Sequence, residues 1–140
     1  ALTDGDTQAQ PLPGSVVGRI VLLIENDAEL RRAMVLLLEK WGAAVIEAAT
    51  GEEALALLDD LGILPDALVV DQHLGAGLTG LQTISSLRAR AADLPVTLIS
   101  ADRGEDLRLA AKAAGVGLML KPVEPGALRA FLAAPTTIGP

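Results

Sequence analysis

Residues 68–80 read LVVDQHLGAGLTG. With Ala67 in front, the segment opens on a continuous apolar run, as expected of a strand buried on both faces. Asp71 ends that run. A loop carrying Gly75 and Gly77 then leads to Gly80, where a helical pattern starts and continues to Arg90. A strand without a polar face, passing through a loop into a helix, is the repeating unit of a parallel sheet covered by helices on both sides.

The same unit recurs on either side. Upstream, residues 20–24 (IVLLI) form another apolar run. Residues 28–41 then place Leu30, Ala33, Met34, Leu37, Leu38 and Trp41 at helical spacing, with most charges opposite. Asp27 is suited to cap that helix and Gly42 to end it. A short strand over residues 44–46 precedes a helix over 51–60, with Ala54, Leu55, Leu57 and Leu58 inward. Downstream come a strand at 96–99, a helix at 104–114, a strand at 117–120 and a helix at 125–133 with Pro125 in its first turn. Five strands alternating with five helices predict an α/β fold: a five-stranded parallel sheet with helices on both faces. Residues 1–18, rich in Thr, Asp, Gln, Pro and Gly, read as a linker, 19–133 as the domain and 134–140 as a tail.

Composition narrows the functions available. The chain has 140 residues, 51% of them hydrophobic, which suits one domain with a substantial core. Its aromatics are Trp41 and Phe131 alone, so the core must be aliphatic. There is no cysteine, which excludes disulfides and thiolate metal sites. A net charge of −7 argues against nucleic acid, whose phosphates need a basic face, and favours protein partners or a cation. No apolar run approaches the roughly 18 residues that span a bilayer. The polar, acidic start does not resemble a signal peptide. The expectation is a cytoplasmic domain without direct membrane contact.

In such sheets function gathers beyond the carboxyl ends of the strands, near the switch in strand order. Glu25, Asn26 and Asp27 follow the first strand, Asp71 the third, Ser100 the fourth, and Lys121 with Pro122 the fifth. Crowded carboxylates repel, and a hard divalent cation such as Mg²⁺ relieves that repulsion. Lys121 and Ser100 are suited to contact phosphoryl oxygens, one as a charge and one as a hydroxyl donor. The set reads as a nucleophilic carboxylate prepared for phosphoryl transfer. Plainer readings exist for each member. Asp71 is able to cap a turn, Asp27 reads simply as a helix cap, and Ser100 and Lys121 would pass alone as surface residues. His73, the only histidine, is better placed to offer its carbonyl than its ring. Gly75, Gly77 and Gly80 do not open a helix after the first strand, so they are a flexible loop and not a dinucleotide cradle.

The segments IVLLIEND (20–27), LVVDQHLGAGLTG (68–80), VTLISA (96–101) and LMLKPV (118–123), in that order, resemble the receiver domain of response regulators and hybrid histidine kinases. The resemblance covers residues 19–133 and implies a flavodoxin-like (βα)5 receiver fold in a two-component or phosphorelay system. By position, Asp71 corresponds to the phosphoacceptor, Ser100 to the switch hydroxyl and Lys121 to the lysine beside it. Glu25, Asn26, Asp71 and the His73 backbone carbonyl correspond to the Mg²⁺ site. Lys121-Pro122 corresponds to a peptide that is commonly cis. The implied partners are a histidine kinase domain and a histidine phosphotransfer domain.

Four positions depart from the family pattern. Asn26 is neutral where an acid is usual, Leu118 replaces an aromatic switch residue, and Val123 replaces a frequent Phe. The loop after Asp71 lacks proline, and Gly80 lies nine residues on, one more than is common. These departures, the Pro/Gly-rich start and the early stop resemble the C-terminal receiver of a hybrid histidine kinase, in which case the full-length protein is a kinase. The rival expectations are a degenerate receiver that only binds proteins, for which Asn26 and Leu118 speak, and a stand-alone response regulator.

Overall fold

The computed structural model describes residues 15–133. Along them run β1 (Ile20–Ile24), α1 (Ala28–Lys40), β2 (Ala44–Ala48), α2 (Gly51–Leu61), β3 (Ala67–Asp71), α3 (Gly80–Arg88), β4 (Val96–Ser100), α4 (Glu105–Ala113), β5 (Gly117–Leu120) and α5 (Pro125–Ala133). The strands form one parallel sheet in the order β2-β1-β3-β4-β5. This is the expected α/β architecture, a flavodoxin-like (βα)5 fold.

Strand alternation divides the core in two. Leu22, Ile24, Leu68, Val70 and Leu98 face one side, where Ala54 and Leu58 of α2, Ile84 and Leu87 of α3, and Leu107 and Ala111 of α4 cover them. Val21, Leu23, Val69 and Ile99 face the other, under Met34, Val35 and Leu38 of α1 and Leu128 and Leu132 of α5. Each such aliphatic side chain, once fully buried, contributes about 1.5–3 kcal/mol relative to exposure. With no polar face on the central strands, the register is fixed from both sides. At the far end of α1, the Arg129 guanidinium of α5 lies 5.4 Å from the centroid of the Trp41 ring.

Local chemistry sets the element ends. Asp27 accepts hydrogen bonds from Glu29 N and Leu30 N, and Gly62 ends α2 in the left-handed region at φ 67°. Thr79 and Gln82 close a capping box at the start of α3. Some bounds differ from the sequence reading. Asp71 and Ser100 are the last residues of their strands, and α3 stops at Arg88, where Ala91 N and Arg90 N turn back to Leu87 O. Ala33, expected inward, is exposed toward a groove between α1 and α5, and Val35 is buried in its stead.

Packing also starts before Arg19. Val16 is buried, and Gly18 N donates to Gly42 O at 2.9 Å. The rest of the expected linker, residues 1–14, and the expected tail, 134–140, lie outside the described residues. Among the described residues no helix is long and apolar enough to cross a membrane.

Gly80 shows how tightly α3 is set against β3. A Cβ there would stand 2.5 Å from Asp71 O and 2.8 Å from Gln72 Cα, both backbone atoms that cannot give way. Gly80→Ala is therefore expected to cost about 1–3 kcal/mol, measured by urea unfolding. An unchanged midpoint would contradict this packing.

Candidate functional site

Register builds the site. Ile24 is paired with Val70, so the next residues along, Glu25 and Asp71, stand side by side at the carboxyl edge of β1 and β3. Hydrogen bonds continue the ladders past the strands: Glu25 N to Ala48 O at 3.0 Å, Gln72 N to Ile99 O at 3.0 Å and Lys121 N to Ser100 O at 2.9 Å. Lys121 starts from the end of β5 and reaches across β4, two strand spacings of about 4.8 Å each. Its Nζ lies 2.7 Å from Asp71 Oδ2 and 3.4 Å from Glu25 Oε1. The peptide that follows, Lys121-Pro122, is cis.

The two carboxylates are held very differently. Asp71 is 4% exposed and accepts from Lys121 Nζ and, at 3.2 Å, from His73 N. Glu25 is 1% exposed; its Oε2 accepts from Asp27 N at 3.0 Å, while Oε1 is buried without a hydrogen-bond partner. Burial, with the charge of Asp71 adding to it, raises the Glu25 carboxyl above the usual carboxylate value, against the Asp27 N–H and the Lys121 charge. Burial alone would lower the Lys121 ammonium. The hydrogen bond to Asp71 and the charges of Glu25 and Asp71 outweigh it, so Lys121 is raised and stays protonated at neutral pH.

The remaining expected site residues take distinct places. Ser100 is fully buried, and its Oγ accepts from Asp102 N at 2.9 Å. His73 supplies a backbone N–H to Asp71 while its residue is exposed. Asn26 is exposed and faces the loop after Asp71: a Cβ on Gly75 would lie 3.7 Å from its Nδ2. Asp27 caps α1, as the plain reading had it. Leu118 is half-buried in β5, in register with Leu98, and packs on the core as an aliphatic residue.

Two residues that the sequence did not single out also touch this edge. Arg31 Nη1 donates to Glu25 O at 2.7 Å while its Nε reaches Glu47 Oε1 at 3.2 Å. Glu52 Oε2 accepts from Leu78 N at 2.9 Å, tying the loop after Asp71 to α2. Arg31 meets a backbone carbonyl and a carboxylate 16 residues away, and no local pattern marks either. Nothing local marks Glu52, because its partner lies 26 residues away.

The donor set fits a hard cation. Glu25 and Asp71 carboxylates, the Asn26 amide oxygen and a backbone carbonyl are all oxygen ligands of the kind Mg²⁺ takes, and Glu25 Oε1, which faces Lys121 at 3.4 Å but accepts no hydrogen bond, has lone pairs to offer. The set is one charge short. Among the described residues no three His, Cys, Asp or Glu side chains converge as a metal-holding group.

A family model described as the response regulator receiver domain matches residues 21–133. The chain is similar to the Regulator of RpoS of Escherichia coli strain K12, 34% identical over 122 residues that cover 82% of this chain and 32% of that protein. It is also similar to the transcriptional regulatory protein AfsQ1 of Streptomyces coelicolor, 38% identical over 87 residues covering 62% of this chain and 36% of that protein. It thus spans about a third of the length of these relatives. Among solved structures, the signal receiver domain of a modulated diguanylate cyclase from Desulfovibrio desulfuricans is 27% identical with a TM-score of 0.70, covering 82% of this chain and 90% of that one. The chemotaxis protein CheY4 of Vibrio cholerae, 23% identical with a TM-score of 0.72 over 80% of this chain and 93% of its own, shares the fold.

The raised Glu25 carboxyl has a consequence for stability. Its folded value lies above the ordinary 4.5, so the native state is favoured below that value and loses ground as pH rises through the folded value. E25Q removes the titration. In metal-free buffer its stability relative to the unsubstituted protein should therefore improve as pH rises above the ordinary carboxylate value of 4.5, measured by urea denaturation. A difference independent of pH would contradict the assigned burial effect.

Proposed function

The chain belongs to the response regulator receiver domain family, and from that premise we propose that Asp71 accepts a phosphoryl group from a histidine kinase domain. The observation that carries this reading is the Asp71 carboxylate, buried at the sheet edge and held by Lys121 Nζ at 2.7 Å and His73 N at 3.2 Å. A carboxylate oriented from two sides keeps one aspect for in-line attack. An Asp71 oxygen bonds to phosphorus as the bond from phosphorus to the donor's imidazole nitrogen breaks. The leaving imidazole takes up a proton, and an acyl phosphate remains.

Lys121 balances the charge that gathers on the phosphoryl oxygens. Ser100 turns its hydroxyl from the Asp102 N–H toward one of them. Mg²⁺, when bound, neutralises charge on the transferring group. Glu25, Asn26, Asp71 and the His73 carbonyl would hold it, with Asn26 lowering the affinity. Phosphorylation then shifts a two-state equilibrium through the new contacts.

A protein donor is supported by the groove of about 340 Å³ between α1 and α5. Leu30, Met34, Leu37, Pro122 and Val123 line it, and it shares Lys121 with the site. Apolar side chains of a kinase or histidine phosphotransfer domain are suited to bury there while the phosphohistidine faces Asp71. In the finer reading, this is the C-terminal receiver of a cytoplasmic hybrid kinase. A stand-alone response regulator fits the same site. The second functional reading, a binding module that is never phosphorylated, draws on Asn26 and Leu118. It leaves the Lys121–Asp71 pair without a purpose.

Two measurements test the proposal. Acetyl phosphate with Mg²⁺ should add one phosphoryl group to the protein by intact mass and none to Asp71→Asn, which folds normally because amide and carboxylate are nearly isosteric. An equal yield on both proteins would end the assignment. Restoring the acid with Asn26→Asp should tighten Mg²⁺ binding by roughly an order of magnitude in calorimetric titration. Coincident titrations would remove Asn26 from the metal site.

A further inference from the structure

Helix α3 is fastened at both ends to different parts of the molecule. At its start, Gly80 N donates to Gln72 O at 3.0 Å and Leu81 N to Gln72 Oε1 at 2.9 Å. With no room even for a Cβ on Gly80, the first turn cannot move apart from the backbone of Asp71 and Gln72. At its end, Arg88 Nη1 donates to Ala114 O and Nη2 to Gly115 O at 3.2 Å. Those carbonyls form the turn from α4 into β5, where Gly115 stands at φ 71° and Val116 is buried.

The clamp at Arg88 is incomplete. Its Nε is buried without a hydrogen-bond partner, a cost that another arrangement of the guanidinium can relieve. Beside it a cleft of about 330 Å³, lined by Leu81, Ile84, Ser85, Arg88, Ala89 and Ala114, separates α3 from the end of α4. The inner side of α3 is filled, with Ile84 2% and Leu87 1% exposed. A displacement of the helix is therefore directed along the cleft, toward the α4–β5 turn.

We propose that α3 carries a change at Asp71 to the α4–β5 turn, with Arg88 as the coupling residue. The proposal rests on Asp71 being the phosphoacceptor. A nine-residue helix is a rod of about 14 Å, so a shift of its first turn appears at its last. The forked guanidinium is anchored through Nη1 and Nη2 while its buried Nε has no partner, so a rearrangement that satisfies Nε offsets part of what it costs to loosen the clamp. This route ends on β5 from the side opposite Lys121 and needs no aromatic rotamer, which Leu118 does not offer. Arg88 acts through the turn and does not touch the reacting atoms.

Residue-resolved amide exchange of the full 140-residue chain, with and without beryllium fluoride and Mg²⁺, tests the route. The unsubstituted protein should respond at residues 72–80 and at 114–117. R88M should keep the response at 72–80 and lose that at 114–117. R88K keeps the charge without the fork and should show a response at 114–117 reduced several-fold, which carries the test if R88M fails to fold. A variant that responds at 114–117 like the unsubstituted protein overturns the proposal. So does an unsubstituted protein that responds at 72–80 alone. Intact mass after acetyl phosphate treatment separates the premise: without an adduct on Asp71, the phosphoacceptor reading falls and the relay with it.

Discussion

One ammonium group stands between two buried carboxylates, and much of the molecule serves to keep it there. Lys121 leaves the sheet at β5, while Glu25 and Asp71 leave it at β1 and β3. Such a trio survives out of water only if its geometry is good and its remaining donors and acceptors are met. Most of that is supplied here by backbone N–H groups of Asp27 and His73, which the strand ends aim inward. The exception is Glu25 Oε1, and it is the atom on which a cation would complete the account. The arrangement sets one positive charge against two negative ones, which leaves room for one more cation, and in its absence a third acid would add repulsion. Asn26 is consistent with that economy.

The trio depends in turn on the register of a sheet with no polar face. A slip of one residue between β1 and β3 would turn every aliphatic side chain to the wrong layer, and it would also separate Glu25 from Asp71. Site geometry is thus secured by hydrophobic packing far larger than the electrostatic terms it arranges. The loop after Asp71 is held by longer-range bonds from Gln72 and Glu52.

Legibility in the sequence followed the range of the interaction. Apolar runs announced the strands, continuous where burial on two faces demands it in β1, β3 and β4 and shorter in the edge strands β2 and β5. Asp27 and Gly42 likewise mark helix ends by local chemistry, and Asp71, Ser100 and Lys121 were visible because strand ends converge in this topology. The inward stripe of α1 was misread by one position, since Ala33 and Val35 are both apolar and periodicity alone does not choose between them. Val16 was hidden in a segment whose composition resembles a linker. Arg31, Glu52 and Arg88 escaped because each meets a partner brought near only by the fold, and in two of the three cases that partner includes a backbone carbonyl that sequence cannot label.

The stacking of Arg129 on Trp41 has a practical side. Trp41 is the chain's one indole, and it sits a full helix length, about 20 Å, from the end of α1 that borders the charged trio. At that distance its emission is expected to follow the docking of α1 and α5 and not events at Asp71. An optical observer of this protein sees it melt but does not see it signal, and a chromophore placed near the loop after β3 would be needed to watch the second process.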